Sequence, residues 1–159
     1  MTSGRAASKR SAAAAVASTA PGLARILEMS VSNCREHDLS LRQLAVLERV
    51  DQHETTPGEV ARALSVTPAV VTGLIDRMER RGYVRRSESP IDRRRVQIEL
   101  TDSGDDVREC ALSGIIGTLE SMFDNFSDED LDAIERGMRL LHSVLGRASV
   151  SEQTTTGRA

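Results

Sequence analysis

The sequence is poor in the residues that mark several specialised classes of protein. Among 159 residues there are two cysteines, three aromatic residues and no tryptophan. The cysteines, Cys34 and Cys110, have no C-x-x-C partner, which excludes a disulfide scaffold and the common zinc patterns. Because aromatic residues are scarce, the core must be built from Leu, Ile, Val, Met and Ala, a composition that favours helices.

Long apolar segments are also missing. The longest apolar run, from Ala12 to Ala17, is far shorter than the roughly 20 residues that a membrane-spanning helix needs. Arg5, Lys9 and Arg10 precede this run, but it is a poor hydrophobic core for a signal peptide. With 39% hydrophobic and 28% charged residues, the sequence predicts a soluble, cytoplasmic protein with no membrane partner.

Motifs typical of enzymes are absent as well. The sequence contains no G-x-x-x-x-G-K-[ST], G-x-G-x-x-G, H-E-x-x-H or G-x-S-x-G motif. No cysteine and histidine lie at catalytic or metal-ligand spacing. We therefore predict a protein that is not an enzyme, with no catalytic residue, no cofactor and no metal site.

Charge is distributed unevenly along the chain. The net charge is -3, yet residues 62–95 contain nine arginines and only four acidic residues. Residues 101–135 contain eleven acidic residues and one arginine. The first segment suits contact with phosphate, whereas the second would repel it. A solvated, arginine-rich surface is the alternative interpretation of the first segment.

Capping patterns divide most of the chain into helices. Apolar residues at helical spacing follow five capping positions, which are Ser40, Thr56, Thr67, Thr101 and Ser127. Pro21 suits the first turn of an earlier helix. Residues 1–20 and 148–159 lack a periodic apolar pattern, which predicts disordered tails at both ends.

The apolar period changes from helical to alternating after Gly82. Val96, Ile98 and Leu100 alternate with polar residues, as in a strand with one buried face. Residues 83–86 are the expected antiparallel partner, and the charged residues 87–95 form the connecting loop. A short helix, a tight connection, a second helix and a hairpin predict a mainly α fold, a winged helix-turn-helix with a two-stranded β-hairpin wing.

The second helix of this unit suits DNA because its first residues are small. Thr67, Pro68, Ala69, Val70 and Thr72 would let its N-terminus approach bases and phosphates in the major groove. Arg93 and Arg94 at the hairpin tip carry guanidinium groups that could enter a minor groove.

Two motifs resemble the MarR family of bacterial transcription regulators. The sequence D-R-R-R at 92–95, a strand and L-T-D-S-G at 100–104 resemble the D-R-R … L-T-x-x-G pattern of that family. The sequence L-I-D-R-M-E-R-R-G-Y at 74–83 is similar to the end of its recognition helix. The resemblance runs from Leu39 to about Gly104, and the topology extends it over residues 21–147.

This resemblance implies a homodimeric repressor that a small molecule releases from a palindromic DNA operator. Residues 40–101 would form the winged helix, and residues 21–36 and 102–147 the dimerisation helices. The expected DNA contacts are Thr67, Pro68, Ala69, Val70, Thr72, Gly73, Arg77, Arg93 and Arg94. An aliphatic ligand pocket would involve Met29, Val31, Cys34, Leu44 and Ile115.

The resemblance also assigns roles to individual residues. Arg94 would enter the minor groove, with Asp92 holding it through a charge-assisted hydrogen bond. Many relatives carry an arginine where this chain has Gly73, so base recognition must depend more on Thr67, Thr72 and DNA shape.

Two alternative functions stay open at this point. The positions of Cys34 and Cys110 on apolar stripes favour buried core residues, but Cys34 could instead make the protein a redox-sensing regulator of the same fold. A winged helix used only for protein contacts is the other alternative, and the arginine-rich segment argues against it.

Overall fold

The computed structural model describes residues 2–32, 39–52, 56–88 and 95–151. Within these ranges the chain forms six helices and two strands, a mainly α architecture that confirms the predicted fold class. The elements are α1 (Thr2–Ser32), α2 (Leu41–Gln52), α3 (Pro57–Ala63), α4 (Pro68–Arg80), β1 (Val84–Glu88), β2 (Val96–Leu100), α5 (Asp102–Phe123) and α6 (Asp128–Ser151).

Reciprocal side-chain hydrogen bonds start α2 and α3 where the sequence predicts them. Before α2, the Gln43 N–H donates to Ser40 Oγ at 3.3 Å, and the Ser40 N–H donates to Gln43 Oε1 at 2.9 Å. Before α3, Thr56 and Glu59 make the same exchange at 3.3 and 2.8 Å. The N–H and hydroxyl of Thr56 stabilise the carboxylate and lower the pKa of Glu59. Both predicted capping boxes are confirmed.

An aliphatic core joins α2, α3, α4, β2 and α5. Its central side chains are at most 1% exposed and are Leu47, Val60, Ile75, Met78, Ile98 and Val107. Tyr83 is the one aromatic residue among the buried core residues that the structure describes. The prediction of a core without a large aromatic contribution is therefore confirmed.

The N-terminal residues are helical, which differs from the predicted tail. α1 begins at Thr2 and continues to Ser32, with Pro21 inside the helix rather than at its first turn. Residues 5–22 are exposed. Alanine-rich sequence has a high helix propensity and needs no apolar stripe when the helix packs against nothing, so periodicity alone did not detect this segment. At the other end, α6 extends to Ser151, and residues 152–159 lie outside the described ranges.

The two strands form the base of the predicted wing. β1 and β2 pair antiparallel, with Val84 opposite Leu100 and Arg86 opposite Ile98. β1 ends at Glu88, two residues beyond the predicted partner strand. The tip of the hairpin, residues 89–94, lies outside the described residues.

A threonine and two glycines join the end of α4 to the start of α5. Gly82, with φ of +76°, ends α4, and its carbonyl accepts a hydrogen bond from the Thr101 hydroxyl. The Thr101 N–H donates to the Tyr83 carbonyl at 3.1 Å, and the Gly104 N–H donates to Thr101 Oγ1 at 3.0 Å. A Cβ on Gly104 would lie 1.9 Å from the Tyr83 oxygen, so only glycine fits there. This packing explains the L-T-x-x-G pattern physically.

Candidate nucleic-acid interface

α3 and α4 form a helix-turn-helix. The chain bends by 115° between the two helices. In the connecting turn, the Leu64 N–H donates to the Val60 carbonyl and the Val66 N–H to the Ala61 carbonyl, both at 3.0 Å. Ser65 has φ of 50°, the left-handed conformation that a tight turn requires. The turn therefore holds α4 across α3, at the angle typical of DNA-binding helix-turn-helix units.

One face of α4 is buried in the core and the opposite face is exposed. The buried residues are Val71, Leu74, Ile75 and Met78. Of the predicted DNA contacts, Thr67, Pro68, Ala69, Val70, Thr72 and Arg77 are exposed, and Gly73 is half-buried. The structure thus brings these seven residues together on one accessible surface, which we call the α4 outer face.

The N-terminus of α4 differs from that of α3. Thr56 caps α3 through its side chain, whereas Thr67 makes no side-chain capping bond to α4. The Thr67 hydroxyl and the positive end of the helix dipole are therefore suited to a phosphate oxygen.

Thr72 uses its hydroxyl proton within the helix. Its Oγ1 donates to the Pro68 carbonyl at 2.9 Å. The hydroxyl oxygen can still accept a hydrogen bond, for example from the exocyclic amine of adenine or cytosine. The sequence did not reveal this constraint because i to i−4 bonding by threonine depends on the rotamer.

Gly73 is surrounded by open space. An added Cβ would have no neighbouring atom within 4 Å. The absence of a side chain here therefore has no steric cause in the fold.

Two arginines of the basic segment are engaged within the protein. Arg86 Nη2 lies 2.5 Å from Asp76 Oδ1, and its other Nη donates to Glu79, both on α4. The hydrogen bond from Arg86 to Asp76, reinforced by the charge of Glu79, raises the pKa of Arg86. These contacts hold β1 against α4. A count of charges along the sequence does not distinguish this structural arginine from one that faces phosphate.

Arg85 is paired with an acidic residue on the neighbouring strand. Its Nη2 lies 2.6 Å from Glu99 Oε2 across the sheet. Hydrogen bonds from Ser87 and then Arg85 lower the pKa of Glu99. Arg77, Arg80, Arg81 and Arg95 are exposed. Arg93, Arg94 and Asp92, the predicted wing-tip contacts, lie outside the described residues.

The single arginine of the acidic segment also has a structural role. The Arg108 side chain on α5 is 14% exposed and lies 3.0 Å from Glu48 on α2. It also contacts Asp105 at 2.6 Å and Asp51 at 3.8 Å. The hydrogen bond to Asp105 is the main reason that the pKa of Arg108 is raised. Arg108 therefore fastens the winged helix to α5, a role that sequence reasoning did not find.

The predicted ligand-pocket residues do not all meet. Val31 and Leu44 are buried in the core and Ile115 packs against it, whereas Met29 is 56% exposed. Cys34 lies outside the described residues. The expectation that Cys110 is a buried core residue is wrong, because Cys110 is exposed and disulfide-bonded. Cys110 directly precedes the buried Ala111, and a step of one residue turns a side chain by about 100° around the helix, enough to move it off the core face.

The described part of the chain contains no group of three or more His, Cys, Asp or Glu residues placed to hold a metal ion. No single helix there is long and apolar enough to cross a membrane, although α3 and α4 together, bent as they are, reach that length and composition.

Comparison with known proteins places the winged helix in a recognised family. The model of the MarR family matches residues 37–95. The HTH-type transcriptional repressor YetL of Bacillus subtilis is 34% identical over 107 residues, which cover 67% of this chain. The match spans 62% of the length of YetL.

Solved structures share the fold over most of the chain. FabT of Streptococcus pneumoniae, solved in complex with DNA, has a TM-score of 0.69 at 24% identity and covers 88% of this chain and 99% of its own. CouR of Rhodococcus jostii RHA1, solved with p-coumaroyl-CoA, has a TM-score of 0.65 at 21% identity, with 82% and 88% covered. At these identities the likeness establishes the fold.

Proposed function

The chain belongs to the MarR family, and from this premise we propose that it is a sequence-specific DNA-binding regulator of transcription that acts as a repressor in the cytoplasm. The observation that carries the proposal is the α4 outer face. Small residues at the start of α4 allow close approach to a major groove, and Arg77 and Arg80 on the same helix supply positive charge.

A homodimer is part of this proposal. α5 and α6 expose large apolar side chains, which are Ile116, Met122, Leu131, Met138, Leu140, Val144 and Leu145. We call these seven side chains together the apolar face. A second copy of the chain would cover the apolar face and place two α4 helices on two half-sites about one helical turn of DNA apart.

A small-molecule effector is the second part. CouR, which shares the fold, was solved with p-coumaroyl-CoA. In this chain, the core between α1, α2 and α5 contains Val31, Leu44 and Ile115, three of the five proposed pocket residues. Ligand binding there would change the separation of the two α4 helices and lower the affinity for an operator.

The experiment that tests the function compares two variants on two duplexes. One duplex is enriched by the wild-type chain from a library of random duplexes, and the other is a scrambled sequence of equal length. Arg94→Ala should weaken binding to both duplexes and flatten the salt slope by about one unit for each phosphate contact removed. Thr72→Ala should weaken binding to the enriched duplex more, because base contacts carry the sequence information.

Gly73→Arg is the complementary variant. Since open space surrounds Gly73, the new side chain can extend without disturbing the fold and should change which duplex is enriched. Enrichment of no duplex by the wild-type chain would contradict the proposed function. Unchanged affinities and salt slopes for Arg94→Ala would show that the wing tip does not contact DNA.

A further inference from the structure

The first two turns of α4 offer few hydrogen-bond donors to a base. Pro68, Ala69 and Val70 have no polar side-chain atom, and Gly73 has no side chain. Thr72 donates its hydroxyl proton to the Pro68 carbonyl at 2.9 Å. The commonest specific contact in the major groove is an arginine that donates two hydrogen bonds to guanine. The first arginine of α4 is Arg77, so no residue earlier in the helix can make this contact.

Val70 is the one large apolar side chain on the α4 outer face. It is 41% exposed, whereas the other large apolar residues of α4 are buried in the core. Val70 lies two helical turns before Arg77 and on the same side of the helix, because seven residues span nearly two full turns. An exposed arginine that can fix the register on a duplex therefore accompanies an exposed valine on one side of α4.

Resting on the proposed function, we propose that Val70 determines operator sequence by contacting the 5-methyl group of a thymine. Thymine is the one base that presents an apolar group in the major groove. The two methyl groups of Val70 can cover it, and burial of both apolar surfaces is favourable without any polar partner. Each half-site of the operator should therefore contain a thymine that Val70 recognises.

The test uses deoxyuridine, which lacks only the thymine methyl group. The probe is the duplex that the wild-type chain enriches from random duplexes, with each thymine replaced in turn by deoxyuridine. Removal of one buried methyl group should weaken binding by about fourfold for one half-site and about fifteenfold for both. Val70→Ala should bind the unmodified duplex more weakly and should lose most of its sensitivity to that same replacement.

Val16→Ala is the matched control, since Val16 is a similarly exposed valine, 46% exposed on α1. It should retain the full response to deoxyuridine. If no replacement weakens the wild-type chain, or if Val70→Ala stays equally sensitive, Val70 is merely a solvated valine and the inference is wrong while DNA binding stands. Failure to enrich any duplex would instead contradict the proposed function itself.

Discussion

Gly104 and Gly73 are both helical glycines, yet their surroundings are opposite. A Cβ at Gly104 would collide with the Tyr83 carbonyl, whereas a Cβ at Gly73 would meet open space. Gly104→Ala should therefore destabilise the protein by about 1–3 kcal/mol, because the joint between β1 and α5 must shift. Gly73→Ala should stabilise it by about 0.5–1 kcal/mol through helix propensity. Urea unfolding at one fixed protein concentration measures both.

Equal unfolding midpoints for Gly104→Ala and the wild-type chain would show that the close approach to Tyr83 is not real. The sequence predicts that Thr101 caps α5, because a threonine before a helical pattern is a local feature. It cannot predict the need for glycine at 104, since the opposing carbonyl at Tyr83 comes from a distant part of the chain.

The roles of single charged residues also depend on partners that are distant in the chain. In the sequence, Arg86 lies in a basic segment and Arg108 in an acidic one, and local composition distinguishes them only by the net charge around them. In the structure each pairs with an acidic residue on another element, Arg86 on β1 with Asp76 on α4 and Arg108 on α5 with Glu48 on α2. Pairing between elements depends on the fold, so it could not be read from local composition.

At the scale of elements, Arg86 connects the wing to α4. Arg86→Met should remove the side-chain bonds to Asp76 and Glu79 and lower the free energy of unfolding by on the order of 1 kcal/mol. DNA affinity should also fall because the wing is no longer held in place. The slope of affinity against salt should stay the same, since Arg86 is committed to carboxylates and releases no counterion from DNA.

Arg85→Met is the matched control, because the Arg85 side chain is 69% exposed and pairs with Glu99 within the sheet. It should alter stability by less than about 0.5 kcal/mol. A clear drop in salt slope for Arg86→Met would mean that this arginine reaches phosphate rather than positioning the wing.

Element prediction succeeds where caps and periodicity coincide. Thr56 before Pro57 defines α3, and Gly82 ends α4, as the sequence predicts. It fails over residues 2–20, because an alanine-rich helix that packs against nothing shows no apolar period. The strand β1 is displaced from residues 83–86 to 84–88, since an edge strand with charged residues has a weak alternating pattern.

At the scale of the whole molecule, the apolar face is the feature that the single chain leaves uncovered. Leu140 and Val144, about one turn apart on the same side of α6, are 69% and 58% exposed, and Leu145 on another side is 59% exposed. Large apolar side chains exposed in this number mark an interaction site. The resemblance to the MarR family already implies dimerisation helices over residues 102–147, which include both α5 and most of α6.

The central claim is that two copies of the chain place two α4 helices on a duplex with two half-sites. The most direct test measures the affinity of the wild-type chain for the enriched duplex and for the same duplex with about half a helical turn inserted between the half-sites. The account predicts that insertion lowers the affinity by at least about a hundredfold.

Leu140→Glu, which puts charge in the apolar face, should bind both duplexes weakly and to the same extent. Arg136→Glu, on the same helix, should retain the wild-type preference. Equal affinity of the wild-type chain for the two duplexes would contradict the account.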